Sequence, residues 1–275
     1  MNLKHSKEKA FTLIELLVVI AIVGILSSVI YMNITGLRDR AKVTAGIRFD
    51  SSTLHSIGDQ LVGEWLFDDA QNSATDTSGF GNNGTSASWP TWQATEGYNG
   101  KGAYSFNGTN NYIGIGNINK TARTASVWFK PSSIINKDSA AALLLNAEGS
   151  FSGIHLGAAT TALTNEIISV LDAPGGRSGW CNSTESISAG WHNVTMAWNG
   201  SRYDIYLDGV LKNNCISGTP VELSASNVRI GERPNGDYPF NGLIDNVRIY
   251  ESGLSSSEIQ KLYAERKAGY EVATK

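Results

Sequence analysis

The sequence predicts an α+β protein: a long N-terminal hydrophobic α-helix, then an antiparallel β-sandwich, then a short C-terminal helix. Three observations carry this. From Phe11 to Ile34 the one charged residue is Glu15. After residue 62 come about eleven short strand-like runs separated by Gly, Asn, Asp and Ser, the texture of turn-linked strands. Near the C-terminus, LSSSEIQKLY (254–263) carries the chemistry of a helix start.

The apolar run is long enough to span a membrane. At about 1.5 Å per residue it reaches roughly 36 Å, against a hydrocarbon core of about 30 Å. Its leading flank holds Lys4, Lys7 and Lys9 against Glu8, which favours a cytoplasmic N-terminus. An ordinary signal peptide fits less well, because the run exceeds the usual apolar core and no small-x-small cleavage site follows it. Glu15 then needs a reason, since a carboxylate at the bilayer centre costs about 2.5–3.5 kcal/mol.

The stretch A-FTLIE followed by LLVVIAIVGIL resembles the N-terminus of type IV pilins and pseudopilins. The resemblance covers residues 7–34. It implies a leader of residues 1–10, cleavage between Ala10 and Phe11, N-methylation of Phe11, and a core helix over 11–34. The family usually has Gly where this chain has Ala10; Ala is small enough for processing to proceed. Cleavage would place a new α-amine about 7 Å along the helix axis from Glu15. In a bundle of such helices, Glu15 of one subunit would neutralise the amine of its neighbour, as a buried charge is tolerated when paired. Implied partners are other pilins, prepilin peptidase, the pilus or secretion assembly machinery, and the membrane.

Gly36 and the cluster Arg38, Asp39, Arg40 and Lys42 mark the membrane exit, and residues 35–61 read as a weakly helical connector. The globular part is expected over 62–265, with a tail at 266–275. A net charge of −3 without a basic block argues against nucleic-acid binding. The two cysteines, Cys181 and Cys215, fall in the exported part. An oxidising exterior permits one disulfide, the alternative being two partly buried thiols.

Expected strands are 64–67, 103–106, 112–115, 125–130, 141–146, 153–157 and 167–172, then 192–198, 204–209, 227–232 and 243–250. Alternation in VTMAW and RYDIYL marks sheets with one packed face. Asn107-Gly108, Asn199-Gly200 and Asp208-Gly209 mark hairpin turns. The closing helix has Ser255 as N-cap, Glu258 completing a capping box, and a staple between Leu254 and Ile259. It is expected to cover an open end of the sandwich.

DTSGFGNNGT, GKGAYSFNGTNNYIGIG, ASVWFKP, WHNVTMAWNG, YLDGVLK and NGLIDNVRIYESGLSSSEIQKLY resemble the laminin-G-like, concanavalin A-like jelly-roll domains of bacterial surface proteins. That family recognises carbohydrate or protein surfaces, or serves as a spacer. Its Gly-rich loop and an acid on the final strand resemble a structural calcium site. Here that points to Asp76, Asn82, Asp245 and the carbonyls of Gly79 and Gly84. Calcium takes six to eight oxygens, and tight Gly turns let carbonyls converge. The alternative is an Asx-turn network closed by side-chain-to-backbone bonds. Trp65, Trp92, Trp128 and Trp191 read as core aromatics, whereas Trp89 and Trp180 sit in polar segments and are candidates for stacking on a sugar ring or anchoring a loop.

Catalytic patterns are absent from the sequence. No E-x-D-x-E run offers the paired carboxylates of a glycosidase, and Glu64 and Asp68 belong to the first strand's structural pattern. The four histidines are scattered, with no zinc spacing, nucleophile elbow or phosphate loop. The expectation is a non-enzymatic pilin-like subunit with a lectin-like head, anchored in the cytoplasmic membrane as a precursor and displayed outside when assembled. Alternatives are a type II secretion pseudopilin and an anchored carbohydrate-binding protein that does not polymerise.

Overall fold

The computed structural model describes residues 16–20, 22, 57–70, 74–118, 123–132, 141–145, 153–156, 167–170, 180–182, 187–216, 228–234 and 236–273. The chain divides into two units, 1–53 and 54–275. In the first unit, Leu16–Ile20 and Ile22 are helical, and each side chain is at least half exposed. Among the described residues no helix is long and apolar enough to cross a membrane. Ala10, Phe11, Glu15 and most of the run 11–34 lie outside them.

Among the described residues, the second unit has fourteen strands in two antiparallel sheets. They are β1 (Leu61–Trp65), β2 (Thr91–Gln93), β3 (Ala103–Asn107), β4 (Ile113–Gly116), β5 (Thr124–Pro131), β6 (Ala141–Leu145) and β7 (Gly153–Leu156). Then follow β8 (Ile167–Val170), β9 (Trp180–Asn182), β10 (His192–Trp198), β11 (Arg202–Leu207), β12 (Val210–Ile216), β13 (Val228–Ile230) and β14 (Asn241–Tyr250). The larger sheet runs β12-β11-β10-β5-β14-β3-β2, with β1 also paired to β14; the smaller runs β4-β13-β6-β7-β8-β9.

Period-two alternation decides what each strand buries. In β5, β10 and β11 the inward set is Ala125, Val127, Phe129, Val194, Met196, Trp198, Tyr203, Ile205 and Leu207. These meet Ile113, Ile115, Ile154, Leu156, Val228 and Ile230 of the smaller sheet in one core. On β14, Ile244 and Val247 both reach that core although three residues apart. A register shift between Asp245 and Arg248 makes this possible, and Asn246 takes φ 49° there. Asn is among the residues that best tolerate this conformation.

The C-terminal helix α1 (Ser256–Ala273) lies elsewhere than the expected open end. Ala197, Tyr206 and Tyr250 point outward from the larger sheet, and Leu254, Ile259 and Ile57 cover them in a second apolar cluster. The apolar outer face demands that cover, at about 1.5–3 kcal/mol per large side chain buried. The capping box forms as expected: Glu258 N–H donates to Ser255 Oγ at 3.4 Å, and Ser255 N–H donates to Glu258 Oε2 at 2.7 Å.

Turns at Asn199-Gly200 and Asp208-Gly209 join β10 to β11 and β11 to β12. Asp208 and Gly209 both have positive φ, 51° and 74°, as a type I′ hairpin requires. The Asn107-Gly108 turn is no hairpin. It passes from β3 in one sheet to β4 in the other, and Asn107 Oδ1 holds it by accepting the amides of Thr109, Asn110 and Asn111.

Candidate functional site

The Gly-rich loop 76–84 is organised by Asp76. Its Oδ1 accepts the amides of Glu64 and Ser78 at 3.0 and 2.9 Å, and its Oδ2 accepts the amide of Asn82 at 2.9 Å. Burial raises the carboxyl's pKa, but the bonds from Ser78, Glu64 and Asn82 outweigh it and hold it below the usual range. Asn82 is committed as well: its Nδ2 donates to Val62 O, and its carbonyl accepts Trp65 Nε1.

Asp245 has partners of its own. It is fully buried, and its Oδ2 accepts the amide of Tyr98 at 3.0 Å. Burial first, then the nearby Asp68 carboxylate, pushes it well above the usual carboxylate range, against the Tyr98 and Asn246 amides and Arg248. Loop 76–84 thus carries an Asx-type network through Asp76, while Asp245 bonds separately to the Tyr98 amide. Among the described residues no group of three or more His, Cys, Asp or Glu could hold a metal.

Glu64 and Asp68 are held in structural bonds. Glu64 Oε1 accepts Arg248 Nε at 2.7 Å and its Oε2 accepts Thr77 Oγ1 at 2.7 Å; Asp68 accepts Lys101 Nζ and Asn99 Nδ2.

Trp89 is 41 % exposed. Its position is nonetheless fixed, since Asn111 Nδ2 donates to the carbonyls of Ser88 and Trp89 at 3.3 and 3.1 Å. Asn111 in turn belongs to the loop tied by Asn107. One face of the indole tilts over Tyr104 at 6.2 Å between ring centroids. The neighbouring segment is pinned by Ala87 N–H donating to Tyr112 Oη, and the Arg229 guanidinium stacks 3.9 Å above the Tyr112 ring. A held, half-exposed aromatic suits stacking on the apolar face of a polyhydroxylated ligand. By contrast, the cavity between the larger sheet and α1 is about 10 Å³, room for one water and not for a sugar.

The other tryptophans divide as follows. Trp65 and Trp128 are buried, and Trp92 packs against the core half-buried. Trp128 is stacked between Tyr98 at 3.4 Å and Tyr263 of α1 at 5.5 Å. Trp191 is half-buried. Trp180 and Cys181 lie on β9 and Cys215 on β12, but their side chains fall outside the described set.

One polar constellation was not expected from the sequence. Ser188 Oγ lies 2.8 Å from His192 Nε2, and His192 Nδ1 lies 2.8 Å from Asp208 Oδ2. Asp208 Oδ1 accepts the Asn193 amide at 2.8 Å. The β10–β11 hairpin brings His192 beside the Asp208 turn, sixteen residues away in sequence, a proximity that no short motif encodes.

Comparison with known proteins agrees with the architecture. Residues 106–260 match the concanavalin A-like lectin/glucanases superfamily, and residues 5–31 match the prokaryotic N-terminal methylation motif. Domain 4 of AbnA, a GH43 extracellular arabinanase from Geobacillus stearothermophilus solved with arabinotriose, superposes with a TM-score of 0.58 at 21% identity, covering 74% of this chain and 98% of that one. The botulinum neurotoxin serotype D binding domain superposes with a TM-score of 0.60 at 18% identity, covering 78% of this chain and 53% of that one. A 78-residue stretch, 26% of this chain, is 33% identical to Adhesion G-protein coupled receptor V1 of Danio rerio, of which it spans 1%. With the core, the strand order and the family match in agreement, this chain belongs to the concanavalin A-like lectin/glucanase superfamily and carries a prokaryotic N-terminal methylation motif.

Proposed function

We propose that this protein is a pilin-like subunit that displays a glycan-binding sandwich on the cell surface. The observation that carries the reading is the joining, on one chain, of the methylation motif at 5–31 to a lectin-like sandwich at 106–260. The motif's chemistry calls for a prepilin peptidase, a membrane-anchored precursor and an assembly machinery. The sandwich supplies binding, with Trp89 as the stacking platform and Tyr112 and Arg229 as its polar neighbours.

Two experiments test it. Immunogold imaging of sheared extracellular filaments is expected to show the polypeptide on fibres. Retention of all label in the membrane fraction would instead identify an anchored, non-polymerising binder, and label confined to short periplasmic filaments a pseudopilin. A glycan array probed with the full chain in detergent is expected to give specific binding that Trp89→Ala weakens about tenfold, or ~1.4 kcal/mol. Undiminished binding by that variant would move the ligand surface elsewhere.

A further inference from the structure

We propose that Ser188 is an activated nucleophile that takes an acyl group from a carboxylic ester and passes it to water. This goes beyond glycan binding and does not depend on it. The geometry is that of a nucleophile, a base and an orienting carboxylate. Ser188 Oγ is 2.8 Å from His192 Nε2, and His192 Nδ1 is 2.8 Å from Asp208 Oδ2. Such a triad is recognised by geometry and roles, not by position in sequence.

Each member is held for its part. Asp208 sits in the β11–β12 turn with φ 51°, and its Oδ1 is tied to the Asn193 amide at 2.8 Å. That leaves Oδ2 to accept the imidazole Nδ1–H, so Nε2 carries the lone pair facing Ser188. Phe129 stands 6.0 Å from the imidazole between ring centroids and walls one side. Ser188 is exposed, as are Ala189 and Gly190 after it, so an ester reaches the hydroxyl without a pocket having to open. Ala189 and Gly190 lie outside every strand and helix.

The chemistry balances. Ser188 Oγ bonds to the acyl carbon while its proton moves to His192 Nε2. The ester C–O bond breaks, and the alkoxide leaves with that proton. Water then attacks the acyl-serine, giving its proton to Nε2, and the carboxylic acid departs as Ser188 recovers its hydrogen. His192 and Ser188 touch the reacting atoms; Asp208 is a positioning residue that sets the imidazole tautomer.

The test uses the full chain in detergent with a fluorophosphonate reagent and, separately, p-nitrophenyl acetate. Peptide mapping is expected to place the phosphonyl adduct on Ser188 in preference to Ser201, an exposed hydroxyl without a histidine. Ser188→Ala should remove both the adduct and the ester hydrolysis, and Ser201→Ala neither. His192→Gln should slow labelling by about 10²-fold or more. Asp208→Asn should slow it too and shift the His192 ring ¹⁵N signals to the other tautomer, a change that a purely structural clamp would not produce. Labelling of wild-type Ser188 no faster than Ser201, or equal ester hydrolysis by wild type and Ser188→Ala, overturns the proposal. The wild-type measurement alone suffices should a variant misfold.

Discussion

Glu232 shows what a single misplaced charge does in this fold. It is 5 % exposed, its Oε2 has no hydrogen-bond partner among the described residues, and Arg229 Nη1 lies 3.8 Å from it. Burial raises its pKa, and Arg229 only partly opposes the rise. A carboxyl whose folded pKa exceeds its unfolded one binds more protons when folded, so stability falls as pH climbs from the ordinary Glu range through the raised value. Glu232→Gln removes that slope. At pH 7 its melting temperature is expected to equal or exceed wild type by a few degrees, consistent with about 1 kcal/mol in a domain of this size, and the advantage should vanish near pH 4. A variant less stable than wild type at pH 7 would mean that the Arg229 pair outweighs the burial. Asp76 has the opposite sign, its carboxylate being satisfied by three amides. Asp76→Ala should destabilise at pH 7 and progressively less as pH falls below the ordinary Asp range. The three amides leave acceptor capacity on the carboxylate, so melting in calcium and in chelator tests the calcium expectation: a rise in Tm with calcium shows an ion on Asp76, and coinciding curves show that the amide network stands alone.

At the scale of elements, legibility followed alternation. β5, β10, β11 and β14 were readable because inward apolar and outward polar residues alternate along them. β12, VLKNNCI, was hidden because it is an edge strand whose Val210 and Leu211 are 54% and 41% exposed. β2 and β9 have three residues each, too few to show a period. Local chemistry foretold the Ser255–Glu258 box, whereas the face that α1 covers depends on outward residues from strands far apart in sequence. The triad was hidden for the same reason: hairpin geometry places Asp208 beside His192. Cys181 and Cys215 test how the two sheets are tied. Their strands, β9 and β12, belong to different sheets, yet their Cα traces approach within 8 Å. A bridge is expected to close a loop of about 35 residues and stabilise by roughly 3.5–4 kcal/mol in the chain-entropy account. Intact mass after alkylation without reductant should show both thiols protected, and Cys181→Ser should lower the melting temperature; alkylation of both cysteines in unreduced protein would refute the bridge.

The whole molecule has to reconcile an exported sandwich with an N-terminal stretch that water does not tolerate. Leu16, Leu17, Val18, Val19, Ile20 and Ile22 are helical and each at least 50% exposed within their own unit, an apolar surface that lipid or neighbouring helices must cover. Lipid suffices for the precursor but gives Glu15 nothing to bond. In the proposed filament core it would meet the α-amine that cleavage creates on the neighbour's Phe11, a pairing that would make one carboxylate tolerable where the rest of the run is apolar. Insertion and assembly should therefore respond oppositely to Glu15→Val. Removing the carboxylate lifts about 2.5–3.5 kcal/mol of insertion cost, so the precursor should reach the membrane at wild-type levels or above. Assembly should fail, because each amine then enters the core unpaired, a loss of about 3–5 kcal/mol when one partner of a buried pair is removed. The measurement is the ratio of this polypeptide in sheared filaments to that in the membrane fraction, with mass spectrometry confirming a mature N-terminus at Phe11 in both forms. Filaments at wild-type yield from Glu15→Val would show that the carboxylate has no part in registering subunits. A mature N-terminus other than Phe11 would remove the amine from the argument and the pairing with it.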